Sequence, residues 1–298
     1  MIKTIIKFSK WLKLLNQSVT SLFRIWFLSK YSKAFLQQKS DTDSIIILGN
    51  GPSLKSTLET KKEILREHEL MCLNHFALSE YYEELKPKYY VAIAHDLFLD
   101  DVMPHFIEAS NKLFNAIADK TTWEMKYFTT FEAKKHLRWQ KILERNNKIE
   151  IVYLNLTPIE GFDSFLYRKF DTAKGMPRPH NVMIPAIFTA LHLGCKYIYL
   201  VGSDHNWLNE LHVDENNRAL FYNEHFYDKE KQAKQFDFSG KYYMKLHEIL
   251  GTMSCAFESY HILQRYANYK NKEIINCTPI SYIDAFKREK LSEINKTK

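Results

Sequence analysis

The chain has 298 residues, 45% of them hydrophobic and 26% charged, with only eight glycines and eight prolines. These values are typical of a globular protein with a full core, and they exclude a disordered or low-complexity chain. The net charge of +7 comes from residues 1–40, which hold eight basic and no acidic residues. The rest of the chain, here called the body, has 34 basic and 35 acidic residues. This near balance argues against nucleic acid as a partner of the body.

The first segment carries apolar residues at steps of three and four. They are Ile5, Phe8, Leu12, Leu15, Val19, Leu22 and Trp26. This spacing predicts a basic amphipathic helix within residues 1–40, suited to peripheral binding of an anionic membrane through residues 1–39. The alternatives are a helix packed on the domain and a short coiled-coil seam. No run of 18 apolar residues occurs, so no membrane-spanning helix is predicted.

Strand and helix patterns alternate from Ser44 onward, which predicts one α/β domain over residues 41–298. We expect a Rossmann-like, mostly parallel sheet of about seven strands with helices on both faces, and a lid at residues 205–240. The predicted strands are 44–48, 70–73, 89–94, 114–118, 149–154, 197–201 and 273–277. The predicted helices are 54–67, 76–85, 131–145, 180–193, 242–269 and one at the C-terminus. The four cysteines show no C-x-x-C spacing, which favours reduced thiols and a cytoplasmic protein.

Polar residues follow four of these strands, where ligands of parallel sheets bind. They are the Gly-Asn-Gly-Pro-Ser turn at 49–53, Asn74-His75, His95-Asp96 and the segment 202–206 around Asp204. Glycines let a backbone approach a phosphate, and the following helix N-terminus offers N–H groups to an anion. The turn is neither a Walker A loop nor G-x-G-x-x-G. The alternatives are a tight turn in which Ser53 caps the helix, and ordinary strand-end capping by Asn74 and Asp204.

Several segments resemble the bacterial sialyltransferases of glycosyltransferase family 42. They are IIILGNGPSL at 45–54, CLNHF at 72–76, LGCKYIYLVGSD at 193–204 and NCTPIS at 276–281. The GNGPSL turn also occurs in hydroxymethyl-pterin pyrophosphokinase-like proteins and in flagellin-modifying glycosyltransferases. The resemblance extends over residues 44–285 and implies a GT-A variant of the Rossmann-like fold.

The resemblance implies a nucleotide-sugar site with cytidine monophosphate (CMP) as the nucleotide. Its implied binding residues are Gly49, Asn50, Gly51, Pro52, Ser53, Asn74, His95, Asp96, Arg178, His180, Asn181 and Asp204. Phosphate contacts would come from a tyrosine, the candidates being Tyr222, Tyr227, Tyr242 and Tyr243. The general base would be a histidine of the lid, either His247 or His225, because the imidazole pKa lies near neutrality.

The implied function is inverting transfer of an acidic sugar, sialic acid or a related nonulosonate, to a cell-surface glycan or glycolipid. The enzyme would be peripheral on the inner face of the cell membrane, without a metal ion or further cofactor. Asp41-Thr42-Asp43 precedes the first strand and so lies at the wrong edge for a metal site. The alternatives are a Mg²⁺-dependent pyrophosphokinase-like enzyme using Asp96 with Asp204, and a non-catalytic polysaccharide-assembly protein. A homo-oligomer is compatible with all three functions.

Overall fold

The structure is a computed structural model that describes residues 2–222, 226, 233–235 and 243–294. Its strands are β1 (Ser44–Leu48), β2 (Glu69–Leu73), β3 (Tyr89–Val91), β4 (Met125–Thr130), β5 (Ile149–Leu154), β6 (Tyr197–Val201), β7 (Leu211–Val213), β8 (Ala219–Tyr222), β9 (Ala233–Gln235), β10 (Glu273–Asn276) and β11 (Lys287–Arg288). Its helices are α1 (Ile2–Leu28), α2 (Lys33–Gln37), α3 (Ser53–Thr60), α4 (Lys62–Arg66), α5 (Tyr81–Leu85), α6 (Pro104–Lys120), α7 (Leu137–Leu143), α8 (Asp163–Asp171), α9 (Met183–Leu193) and α10 (Leu246–Tyr269).

Eight strands form one sheet in the order β11-β10-β6-β1-β2-β3-β4-β5, and each pairing is parallel. Strand β1 shows why this sheet forms, because its five residues are all buried. Ile45 and Ile47 belong to the core cluster that contains α9 and α10, whereas Ile46 and Leu48 belong to the cluster that contains α3 and α6. The predicted Rossmann-like parallel sheet with helices on both faces is confirmed, with eight strands instead of about seven.

Several predicted elements were wrong. Residues 114–118 belong to helix α6, where Leu113, Phe114 and Ile117 are buried at helical spacing, and the neighbouring strand is β4 instead. The helix predicted over 54–67 is interrupted at Lys61, whose φ is −129°. The chain after β10 forms the short strand β11 and a 3-10 turn at Leu291–Glu293 in place of a terminal helix.

The predicted lid contains an antiparallel sheet of β7, β8 and β9. Buried Ala219 of this sheet clusters with Ile249 and Met253, which lie in the N-terminal half of α10, and Trp207 and Leu211 pack against that cluster. This contact fixes the described part of the lid on α10. Residues 223–225, 227–232 and 236–242 lie outside the described chain.

Helix α1 contacts the body through serines rather than through its apolar stripe. The Ser21 hydroxyl donates to the Glu160 carbonyl and accepts from the Glu160 N–H, both at 2.8 Å. The Ser18 hydroxyl accepts the Phe162 N–H at 3.1 Å, and Arg24 pairs with the Glu160 carboxylate at 3.3 Å. Ile25 also packs against the main core, and the Trp11 ring lies 6.2 Å from the Phe162 ring, centroid to centroid. The helix therefore packs on the domain along the face that carries Ser18 and Ser21.

The predicted apolar stripe of α1 remains exposed. Trp26 is 82% exposed and Phe27 is 76% exposed, and the whole predicted stripe from Ile5 to Trp26 lies at the surface. Lys3, Lys7, Lys10 and Lys13 are exposed as well. None of the described helices is long and apolar enough to cross a bilayer. The structure thus combines domain packing with a free apolar and basic surface on the same helix.

Candidate functional site

The turn after β1 lies directly against the loop after β6. The Gly49 N–H donates to the Val201 carbonyl and the Gly51 N–H to the Gly202 carbonyl, both at 2.8 Å. A Cβ at Gly49 would lie 2.4 Å from the Gly202 oxygen, and Gly202 itself has a φ of +65°. Close approach of two strand ends therefore explains the glycines at these positions before any ligand is considered.

Asp204 occupies the N-terminus of helix α3. Its carboxylate accepts the Ser53 N–H at 3.2 Å and the Ser53 hydroxyl at 2.8 Å. A Cβ on Gly51 would lie 2.1 Å from the Asp204 Oδ2, so glycine is required to admit the carboxylate. Burial raises the pKa of Asp204, while the two Ser53 hydrogen bonds oppose that rise. The negative charge that a helix N-terminus favours is thus supplied by Asp204 itself. The same carboxylate occupies the hydrogen-bond donors of Ser53.

Two asparagine oxygens beside this turn have no hydrogen-bond partner in the described part of the chain. The Asn50 Nδ2 donates to the carbonyl of Leu73 at 3.1 Å, which brings the side chain over the end of β2, next to Asn74. Asn74 has a φ of +43°. The Oδ1 atoms of both Asn50 and Asn74 are buried and accept no hydrogen bond from the described residues. Leaving such an atom unpaired costs about 1–3 kcal/mol, so a hydrogen-bond donor brought by a ligand would be stabilised here.

A lid residue covers this region. The Phe226 N–H donates to the Asn50 carbonyl at 3.1 Å, and the Phe226 ring lies 5.6 Å from the ring of Phe76, centroid to centroid. Phe76 follows Asn74 in the 3-10 turn after β2. The lid therefore contacts Asn50 and the turn that begins at Asn74.

The segment after β10 supports the loop that carries Asp204. The Thr278 hydroxyl accepts the Ser203 N–H at 3.0 Å, and the Ser281 hydroxyl donates to the Ser203 carbonyl at 2.6 Å. The Tyr282 N–H donates to the Asp204 carbonyl at 2.9 Å. These contacts give the late motif at 276–281 a positioning role that the sequence alone did not assign.

His205, Tyr260 and Asn181 form a hydrogen-bonded chain next to Asp204. The His205 Nε2 lies 2.5 Å from the Tyr260 hydroxyl, which lies 3.0 Å from the Asn181 Oδ1. The Asn181 Oδ1 also accepts the N–H groups of Met183 and Ile184, and thereby caps α9. Sequence reasoning missed Tyr260 and gave His205 no role, although His205 directly follows a predicted site residue.

Arg178, predicted to meet the donor, is paired within the protein. Its Nε and one terminal nitrogen each donate to the Glu160 carboxylate at 2.7 Å. The hydrogen bond with Arg178 lowers the pKa of Glu160, and Glu160 raises the pKa of Arg178. Burial and the Arg178 charge lower the pKa of His180. Glu160 thus holds both Arg178 and the Arg24 of α1, and the two hydrogen bonds of Arg178 fix the position of its guanidinium group.

The remaining predicted residues are more scattered. His95 and Asp96 lie in a 3-10 turn after β3, two strands from β1, and His95 is exposed. His247 and Tyr243 are exposed near the start of α10, where His247 is 13 residues before Tyr260, or about 20 Å along the helix. His225, Tyr227, Tyr242 and the Tyr222 side chain lie outside the described residues. Within the described chain, no three His, Cys, Asp or Glu residues cluster as metal ligands.

The fold and site define a Rossmann-like α/β protein whose polar strand ends meet at one edge of the sheet. The chain matches no protein-family model and no curated protein. Among solved structures it is similar to the MAf glycosyltransferase from Magnetospirillum magneticum AMB-1, with 14% identity and a TM-score of 0.49. The match covers 94% of this chain and 39% of that chain, so this chain spans about two fifths of that protein. At this identity the similarity assigns no residue of the site.

Proposed function

We propose that the chain is a glycosyltransferase that uses a CMP-linked acidic sugar, such as sialic acid or a related nonulosonate. The sugar would pass with inversion to a cell-surface glycan or glycolipid. The observation that supports the proposal is the pair of buried Oδ1 atoms on Asn50 and Asn74 beside the glycine turn, for which the described residues offer no hydrogen-bond donor. Two acceptors suit the donors of a nucleoside, which are the ribose hydroxyls and the cytosine amino group.

The position of Asp204 bears on which residues would bind the phosphate and which the nucleoside. Because Asp204 already occupies the α3 N-terminus, its charge would oppose a phosphate placed there. We therefore assign Asn50 and Asn74 to the nucleoside, and Asp204 to holding the turn through Ser53. The resemblance implies tyrosine contacts to the phosphate, and the candidate Tyr227 lies in the lid.

The proposal includes attachment to the inner face of an anionic membrane through residues 1–39. Helix α1 exposes large apolar side chains next to lysines, and residues 1–40 contain no acidic residue that would repel anionic lipids. An acceptor assembled at the membrane would then lie near the enzyme. The supporting observation is the exposure of the predicted stripe, since α1 packs on the body through Ser18 and Ser21.

Isothermal titration with CMP is expected to show binding without Mg²⁺. The Asn50→Leu variant is expected to bind CMP about tenfold more weakly, because it loses one to two hydrogen bonds. Uridine monophosphate, which lacks the cytosine amino group, should also bind more weakly than CMP. The matched control is Asn268→Leu, an exposed asparagine near the end of α10. Preference for ATP with Mg²⁺ would support the pyrophosphokinase alternative, and no nucleotide binding would support the non-catalytic one.

The His247→Ala variant is expected to retain CMP affinity while losing most sugar transfer, if His247 is the base as the resemblance implies. General-base catalysis contributes about 10²- to 10⁴-fold, so the loss of kcat should lie in that range. Transfer from a CMP-linked sugar to a glycan acceptor measures it, with His261→Ala as control for an exposed α10 histidine. Unchanged transfer would exclude His247 and direct the search to His225.

A further inference from the structure

The chain of His205, Tyr260 and Asn181 fixes which nitrogen of His205 carries a proton. The Asn181 Oδ1 receives two backbone N–H groups, of Met183 at 3.0 Å and Ile184 at 3.3 Å, so this amide cannot be turned around without losing both. An amide oxygen only accepts, and therefore the Tyr260 hydroxyl donates its one proton to Asn181. The 2.5 Å contact then requires His205 to donate from Nε2.

The Nδ1 of His205 consequently carries a lone pair. Among the described residues, no hydrogen bond reaches this nitrogen, and the side chain is partly exposed at the edge that carries Asp204. Burial lowers the pKa of His205 to about 3, so the ring is neutral at physiological pH. A neutral imidazole with its Nε2 occupied can only accept through Nδ1.

The ring is also held in place. It lies 4.3 Å from the Trp207 ring and 5.4 Å from the Tyr260 ring, centroid to centroid. The His205 backbone has a φ of +50°, an uncommon conformation for a residue other than glycine or asparagine. Tyr260 is fully buried and belongs to α10, so the chain joins the β6 loop to α9 and α10. A ring fixed by two aromatic neighbours and one hydrogen bond presents its remaining nitrogen in a single direction.

We propose that His205 is a ligand-binding residue whose Nδ1 accepts a hydrogen bond from a hydroxyl or amino group of the nucleotide. The inference deepens the proposed function and rests on it. Tyr260 and Asn181 act as positioning residues, because they select the Nε2–H form of the ring. The role differs from that of a general base, which needs a pKa close to the working pH.

Two substitutions separate the two nitrogens of His205. Asparagine places a polar atom near the Nδ1 position and tolerates positive φ, but it does not reach Tyr260; glutamine places one near the Nε2 position and leaves Nδ1 vacant. We expect His205→Asn to bind CMP within about threefold of the unsubstituted protein, and His205→Gln to bind about tenfold more weakly. Isothermal titration measures both, and thermal unfolding shows whether each variant is folded.

The reverse order, with glutamine close to the original affinity and asparagine weak, would mean that only the Tyr260 contact matters and would overturn the proposal. Equal affinities of both variants and the unsubstituted protein would overturn it as well. If the unsubstituted protein does not bind CMP, the proposed function fails at that first measurement. Nitrogen chemical shifts of His205 in the ligand-free protein test the inference separately, since a proton on Nδ1 would contradict it. In Tyr260→Phe the preference for Nε2–H should weaken.

Discussion

Replacing Gly51 with alanine is expected to weaken CMP binding strongly and to lower the free energy of unfolding by about 1–3 kcal/mol, the usual cost of forcing an added methyl into a packed site. The new Cβ would lie 2.1 Å from the Asp204 Oδ2 and 2.7 Å from the Gly202 carbonyl oxygen. Neither atom can retreat easily, because the carboxylate holds Ser53 and the carbonyl accepts the Gly51 N–H.

Gly51 lies between Asn50 and the Ser53 that Asp204 binds. If Asp204 moves away, Ser53 and the start of α3 lose their acceptor, and the adjacent Asn50 shifts with the turn. We expect a loss of CMP affinity of at least about 30-fold, measured by isothermal titration, since the turn and its neighbour change together. Retained affinity with lowered stability would place the nucleotide away from this turn.

Gly251 provides the matched control. It lies inside α10, where an added Cβ meets nothing within 4 Å. Alanine is favoured over glycine in a helix interior by about 0.5–1 kcal/mol, so Gly251→Ala should raise the unfolding temperature slightly and leave CMP affinity unchanged. Opposite signs of the two stability changes would show that the effect at Gly51 is local crowding rather than a general response to alanine.

The sheet could be predicted from sequence because its strands are buried on both faces and read as apolar runs. β1 and β6 are the clearest examples, and their bounds agree with the prediction. The prediction of secondary structure was wrong where a short segment combined features of a strand and of another structure. Met125–Thr130 includes Lys126 and two threonines, and was overlooked as a strand, whereas the apolar 114–118 has helical spacing that a strand interpretation ignored.

The candidate site was predictable as a place but not as a set of contacts. The strand ends identify the edge, since polar residues follow β1, β2 and β6. What no local pattern contains is the partner of each polar atom. Asp204 binds Ser53, 151 positions away, and Arg178 pairs with Glu160. Long-range pairing therefore decides which residues of a motif are left for a substrate, here the oxygens of Asn50 and Asn74.

Helix α1 also makes a contact that its sequence pattern does not predict. Its apolar stripe predicts a helix correctly, but the stripe does not form the contact with the body. Ser18 and Ser21 lie on the neighbouring face of the helix and are the buried positions. A sequence pattern shows which face is apolar and cannot show whether protein or another medium covers it. Because the buried positions of α1 are Ser18 and Ser21, its apolar stripe is left exposed at the surface.

Replacing Trp26 and Phe27 of α1 with serine is expected to reduce binding to phosphatidylglycerol vesicles by about 10²-fold or more. Complete burial of one large apolar side chain contributes about 1.5–3 kcal/mol, and each 1.4 kcal/mol is tenfold in affinity. Stability should change little, because both side chains are already exposed in the folded protein. Sedimentation with vesicles measures the binding, and thermal unfolding measures the stability.

Charge gives a second, independent measurement on the same helix. Changing Lys3, Lys7 and Lys10 to glutamate should weaken binding to anionic vesicles by more than about 1 kcal/mol for each lysine, with strong dependence on salt. The matched control is Ile280→Ser, since Ile280 is 74% exposed but lies outside α1, and its loss should leave vesicle binding unchanged. Equal binding to neutral phosphatidylcholine vesicles would remove the role of the lysines. Absence of vesicle binding together with a concentration-dependent dimer in sedimentation velocity would assign the apolar face of α1 to a second copy of the chain.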